Sequence, residues 1–210
     1  MVRLEERLRL IVVTPGRGEP RELERLCAAC IEAGASALWI RERSLEPAVL
    51  QELLGALRER AAARGTLLIL AGHLELPAAA RPGGFHLGWL DAAPSDVRAR
   101  VGPDCLLGYS AHDPLEPDRF AACDYVTLSP IFETSSKPVE RPPLGLERFG
   151  RLAEGLDLPV VGLGGIDRHN AGRVIRAGAA GVAVMRAVTG ARHPGRAVAE
   201  LRRIVDEALV

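Results

Sequence analysis

The sequence predicts a (β/α)8 barrel that occupies residues 1–210 as a single domain. Three observations carry that expectation. Short apolar runs alternate with segments of helical spacing through eight repeats. The repeats average about 26 residues, near the lower size of such barrels. The first strand-to-helix turn, Thr14-Pro15-Gly16-Arg17-Gly18-Glu19, lacks the third glycine of a doubly wound dinucleotide fold, and no ribose-binding acid follows the second strand.

The apolar runs are Leu8–Thr14, Ala37–Glu42, Leu67–Leu70, Gly84–Gly88, Leu106–Ala111, Tyr125–Ser129, Pro159–Gly164 and Gly181–Val188. Continuous apolar runs of this length suit strands buried on both faces of a parallel sheet. Between them, Leu23-Leu26-Cys30 and Leu50-Leu53-Leu54-Leu57 have helical spacing, as do Val97-Val101, Phe149-Leu152, Val174-Ile175 and Val198-Leu201-Ile204-Val205. Glu19-Pro20, Glu46-Pro47 and Pro94-Ser95-Asp96 are start signals, and Gly34, Gly65 and Gly178 are stop signals. The third helix is weak, because Pro77 interrupts His73–Ala80.

A chain of 210 residues has ample material for a core. Its 27 basic and 27 acidic residues cancel, which argues against a nucleic-acid or anionic-membrane partner held by bulk charge. No apolar run reaches the roughly 18–20 residues of a membrane span, and the acidic start Leu4-Glu5-Glu6 does not resemble a signal peptide. A soluble, cytoplasmic protein is expected. Lys137 is the single lysine among the 27 basic residues, a hint that its compact ammonium is needed. Cys27 and Cys30 sit one helical turn apart among apolar residues and are expected to be buried free thiols rather than a redox or zinc pair.

In a (β/α)8 barrel, chemistry gathers at the C-terminal ends of the strands. Gly162-Leu163-Gly164-Gly165 ends the seventh strand, where glycines let backbone amides approach a phosphate. Arg41 and Arg43 flank Glu42 after the second strand, so their forked donors suit a second phosphate or a diphosphate. Thr134, Ser136 and Lys137 lie in a long polar loop after the sixth strand that behaves as a lid or anion clamp. A Schiff-base role for Lys137 is disfavoured, because it stands well beyond the strand rather than in a dry interior. His86 and His112 follow the fourth and fifth strands, and Asp91 is the one carboxylate placed to meet magnesium on a diphosphate.

Taken in order, these segments resemble the thiamin phosphate synthase/TenI superfamily over nearly the whole chain. The motifs are Ile40-Arg41-Glu42-Arg43-Ser44, Phe85-His86-Leu87-Gly88, Gly108-Tyr109-Ser110-Ala111-His112, Asp124-Tyr125-Val126 with Ser129-Pro130-Ile131-Phe132, Thr134-x-Ser136-Lys137, Pro159 to Ile166, and Gly178 to Met185. The resemblance implies a (β/α)8 barrel. In the synthase branch it implies the joining of an aminopyrimidine methyl diphosphate to a thiazole phosphate with release of diphosphate. Ser110 matches that branch's diphosphate-contacting serine, and Thr134, Ser136 and Lys137 match its T-x-T-K clamp. The chain departs at Trp39 and Trp89, where the synthase has glutamines, at Arg43, where it has lysine, and at Ala71-Gly72, where it has Asn-Asp. One of two magnesium aspartates, Asp91, remains.

Gly72, Arg41-Glu42-Arg43-Ser44 and Phe132-Glu133-Thr134 are similar to the TenI branch, which implies a thiazole phosphate tautomerase, an isomerase requiring no cofactor. The histidine of that branch would fall at Pro130, so His112 or Glu133 would move the proton, with Lys137 closing the loop. Arg41, Arg43, Ser110, Thr134, Ser136, Gly164, Gly165, Met185 and Arg186 would hold the thiazole phosphate. The alternatives are a magnesium-dependent synthase and an inactive thiazole- or thiamin-phosphate sensor; a homodimer is compatible with each.

Overall fold

A computed structural model describes residues 3–72, 82–134 and 142–210. Eight parallel strands pair in sequence order into a closed barrel. They are β1 (Leu10–Val13), β2 (Ala37–Ile40), β3 (Leu67–Leu70), β4 (Gly84–Leu87), β5 (Leu106–Ala111), β6 (Tyr125–Leu128), β7 (Val160–Leu163) and β8 (Gly181–Val184). Closure is made by β1 against β8, with Leu10 opposite Val182 and Val12 opposite Val184.

The strands are buried on both faces, and the two faces form separate cores. Inside the barrel lie Ile11, Val13, Ala37, Trp39, Leu67, Ile69, Ala71, Leu106, Tyr125, Val161 and Ala183. Outside, Leu38, Ile40, Leu68, Leu70, Val126 and Leu128 pack against the surrounding helices. The period-two alternation of strand side chains produces this split.

Of those helices, α2 (Pro20–Glu32) starts where Glu19 accepts from the amides of Arg21 and Glu22, and α3 (Pro47–Arg64) stops at left-handed Gly65. Next come α4 (Pro94–Val101), α5 (Gly145–Glu154) and α6 (Ala171–Arg176). The short α7 (Arg186–Thr189) and long α8 (Pro194–Ala208) end the ring. The β5–β6 connection holds only a 3-10 turn, Pro117–Phe120. The weak helix expected over 73–80 lies outside the described residues.

Six of the expected strands extend past the observed ones, and two of them run into helices. Leu8 belongs to a helix, α1 (Leu4–Leu8), whose Leu4 and Leu8 plug the N-terminal end of the barrel. At the other end, β8 stops at Val184, and the amide of Thr189 turns back to the Met185 carbonyl, placing Val188 in α7. Among the described residues no helix is long and apolar enough to cross a membrane. Cys27 and Cys30 are free and buried, and burial pushes the Cys30 thiol up to about 12, which leaves it inert at neutral pH.

Candidate functional site

The C-terminal mouth is built from the loops that follow the strands. At the end of β2, the Arg41 amide donates to Thr14 Oγ1 at 2.8 Å, tying the second strand to the first. Glu42 is 1% exposed, and its carboxylate accepts from the amides of Gly16 (2.8 Å) and Gly18 (3.1 Å). The sequence pattern placed Glu42 opposite its two arginines without showing that it pins the β1–α2 loop. Hydrogen bonds to a charged group contribute about 1.5–3 kcal/mol. Glu42→Ala is therefore expected to lower Tm by roughly 5–10 °C, measured by thermal unfolding, and an unchanged Tm would show that the loop holds itself.

Arg43 reaches across the mouth to Asp91, Nη2 to Oδ2 at 2.9 Å. The same oxygen accepts from the Gly88 amide at 2.7 Å. Asp91 is thereby a turn cap and an arginine anchor as well as a carboxylate near the mouth. Trp89, at the expected glutamine position, is instead 42% exposed, with the Arg119 guanidinium 3.7 Å above its ring.

Deeper in the barrel, β4, β5 and β6 bring together three polar side chains. His86 Nδ1 lies 2.9 Å from the Tyr125 hydroxyl and its Nε2 lies 3.0 Å from Ser110 Oγ. The Trp39 ring covers the imidazole at a centroid distance of 3.8 Å. Room for the Tyr125 ring comes from Gly108, where a Cβ would stand 2.2 Å from Tyr125 Cζ. Burial, with added repulsion from Cys123 and Asp124, pushes the Tyr125 phenol far up, so it stays protonated. Among the described residues two buried polar atoms, Trp39 Nε1 and Thr127 Oγ1, have no hydrogen-bond partner. His112 directs Nδ1 at the Ser129 carbonyl, 3.3 Å away.

Gly164 and Gly165 have φ of +100° and +66°, which glycine alone adopts without strain. A Cβ on Gly164 would meet Pro130 Cα at 2.8 Å, and one on Gly165 would meet the Glu133 carbonyl at 2.6 Å. The turn is also bonded to the β6–α5 loop, Ile131 and Phe132 amides donating to the Leu163 (3.0 Å) and Gly164 (3.1 Å) carbonyls. These glycines thus serve packing between two loops, whatever they offer a phosphate. A Gly164→Val change looks from sequence like a blocked ligand site on an intact fold. The structure corrects this: the variant is expected to lose soluble yield and Tm together, and wild-type thermal stability would refute the packing role.

Phe132-Glu133-Thr134 follows the same logic. Phe132 packs on Gly165 through Cβ, Glu133 touches it through its backbone carbonyl, and the Glu133 side chain is exposed. Thr134 is half-buried, Met185 is the N-cap of α7 and Arg186 its first residue. Ser136 and Lys137 lie outside the described residues. The structure therefore brings Arg43 to Asp91 and Ser110 to His86, and it sets the Gly164-Gly165 turn against Pro130 and Glu133. Sequence reasoning missed Glu42, Trp39, Tyr125 and Thr127. The signal for the last two was alternation from Tyr125, once that ring is placed inside.

Among the described residues no group of three or more His, Cys, Asp or Glu side chains is arranged to hold a metal. Asp91 already spends one oxygen on Gly88 and Arg43, and Ala71-Gly72 supply no carboxylate.

A closed parallel barrel whose polar side chains converge at its C-terminal mouth has the layout of the (β/α)8 barrel enzymes. The chain belongs to the thiamine monophosphate synthase family, whose model matches residues 10–188. It is 34% identical over 200 residues to the thiamine-phosphate synthase of Moorella thermoacetica, covering 94% of this chain and 95% of that protein. It is 38% identical over 206 residues to the thiamine biosynthesis bifunctional protein ThiM/ThiE of Symbiobacterium thermophilum, covering 97% of this chain but only 42% of that longer protein. The solved structure of thiamine phosphate pyrophosphorylase from Pyrococcus furiosus superposes with a TM-score of 0.84 at 26% identity, over 99% of this chain and all of that one.

These relatives overturn the expected isomerase. Near-full-length relatives are named as synthases, which are transferases. Of the Phe132-Glu133-Thr134 motif that suggested the tautomerase branch, Phe132 and the Glu133 carbonyl pack against Gly165 in the structure. The proton-transfer roles expected for His112 and Glu133 fall with that activity.

Proposed function

We propose that the protein is a thiamine-phosphate synthase, joining an aminopyrimidine methyl diphosphate to a thiazole phosphate. The observation that carries this reading is the near-full-length relation to proteins of that name. In the reaction the thiazole ring nitrogen forms a bond to the methylene carbon, the carbon–oxygen bond to diphosphate breaks, and the electron pair leaves on the diphosphate oxygen. The thiazolium product keeps every proton, so no acid/base side chain is needed. Pro130 in place of a histidine is then no handicap.

What the step needs is stabilisation of charge developing on the leaving group. Arg41 and Arg43 supply forked donors and Ser110 and Thr134 hydroxyls; Ser136 and Lys137, outside the described residues, add by resemblance a hydroxyl and an ammonium suited to the anion. The thiazole phosphate would meet the Gly164-Gly165 turn and the Met185-Arg186 backbone. The protein works among soluble metabolites, in the cytoplasm. Purified protein incubated with both substrates should yield thiamin phosphate and one diphosphate per turnover; neither product in the presence of folded protein would overturn the assignment.

Magnesium belongs with the diphosphate as part of the substrate, since Asp91 alone is a thin site. Titration of magnesium into the protein without diphosphate should give no binding tighter than millimolar. A micromolar site measured by calorimetry would refute this.

A further inference from the structure

The buried chain Tyr125–His86–Ser110 has a direction. Tyr125 is fully buried, and among the described residues His86 is the one hydrogen-bond partner of its hydroxyl. A phenol has a single hydrogen. If His86 carried its proton on Nδ1, that nitrogen would donate to the phenol oxygen and strand the phenol hydrogen without an acceptor, an unfavourable arrangement in a buried site. The arrangement that satisfies every atom has the Tyr125 hydroxyl donating to Nδ1 and the proton on Nε2. His86 Nε2–H then donates to Ser110 Oγ, 3.0 Å away. The Trp39 ring, tilted 38° at 3.8 Å, and Tyr125 itself, at 5.5 Å, hold the imidazole plane on two sides.

We infer that Tyr125 and His86 are positioning residues that fix Ser110 as a hydrogen-bond donor toward the mouth. With one lone pair of Oγ engaged by His86, the serine hydrogen cannot be spent on the imidazole, whose Nε2 is already protonated. It is left for an acceptor at the mouth. Phosphate and diphosphate oxygens are acceptors, so a serine held in this state selects an anion over a donor group. The opposite tautomer would let Ser110 donate inward and present only lone pairs to the ligand, repelling the same anion. The inference rests on the synthase reading for the identity of the anion, a diphosphate, but the proton's place on His86 does not depend on it.

Two measurements test it. Nitrogen-15 spectra of imidazole-labelled wild-type protein should show His86 protonated on Nε2 and accepting on Nδ1, at neutral pH and without ligand. Protonation on Nδ1 overturns the proposal outright. The second is a cycle of Tyr125→Phe and Ser110→Ala, read by calorimetric affinity for inorganic pyrophosphate and by kcat. Tyr125→Phe keeps the ring that fills the barrel and deletes only the donor. It should weaken pyrophosphate affinity and lower kcat roughly tenfold in the Ser110 background, and change either by less than about twofold in the Ser110→Ala background. An equal loss in both backgrounds would mean that Tyr125 acts through the fold and overturns the positioning role. If wild-type protein makes no thiamin phosphate yet shows the Nε2–H tautomer and the same non-additive loss of pyrophosphate affinity, the synthase reading falls and the positioning role stands.

Discussion

Gly181→Val is expected to leave the protein unable to fold. A Cβ at position 181 would stand 1.9 Å from the Leu8 carbonyl oxygen and 2.9 Å from Arg9 Cα. Both are backbone atoms, so no rotamer change relieves the clash. The obstruction lies where β8 must meet β1, and separating those strands forfeits the pairing of Leu10, Ile11 and Val12 with Val182, Ala183 and Val184. Overpacking of a tight interior already costs about 1–3 kcal/mol where side chains can move; here the backbone must move, against a total stability of about 5–15 kcal/mol. Loss of soluble protein, or of the cooperative melt, would meet the expectation. Gly55→Ala is the matched control. Gly55 lies inside α3 with nothing within 4 Å of its would-be Cβ, so alanine should stabilise the protein by about 0.5–1 kcal/mol. A stable Gly181→Val protein would mean that α1 does not seat against β8 as described.

The largest effect on turnover should come from the second strand. Arg43→Ala removes a guanidinium from the mouth and strips Asp91 of its cationic partner, leaving an acidic group where the proposed reaction would place a diphosphate. Loss of one charge-stabilising donor typically costs 10²–10³ in kcat, and the uncovered carboxylate pushes the outcome toward the larger figure. Asp91→Asn should be milder, because the amide oxygen still accepts from the Gly88 amide and the turn survives. The comparison is steady-state kcat for the two variants at saturating substrates. Arg43→Ala at wild-type turnover would remove Arg43 from the diphosphate end of the site. A heavier loss in Asp91→Asn than in Arg43→Ala would show that the carboxylate, and not the guanidinium, carries the function.

The barrel was legible because parallel strands buried on both faces read as unbroken apolar runs, and each of the eight runs contains one strand. The same property hides the inside from the outside. In Tyr125-Val126-Thr127-Leu128 every residue is buried, so alternation sorts the residues into two sets without saying which set enters the barrel. That is why the hydroxyls of Tyr125 and Thr127 were not counted among the site residues, whereas Ser110 was recognised by resemblance. α1 escaped because Leu4 and Leu8 are separated by charged residues, and one turn of helix has too little periodicity to register. The branch of the family was misjudged for a related reason. Glu133 and Phe132 read as chemistry, yet their contacts with Gly165 are steric, and a short motif does not reveal whether its side chains or its backbone do the work.

The seam between β1 and β8 has a consequence for synthesis of the chain. Residues that close the barrel lie about as far apart in sequence as the protein allows: Leu10 meets Val182, and Arg9 pairs with Asp206 on α8 at 3.0 Å. As the polypeptide emerges from the ribosome, β1 has an exposed edge with no partner on one side until the eighth strand follows, at a pace of about 5–20 residues per second. Half-built barrels of this kind carry an unpaired parallel edge and an open hydrophobic lumen, the features that invite wrong association. Because α1 precedes β1 in the chain, Leu4 and Leu8 are made before any of the strands whose inner faces they cover, so the floor of the barrel is synthesised ahead of its walls.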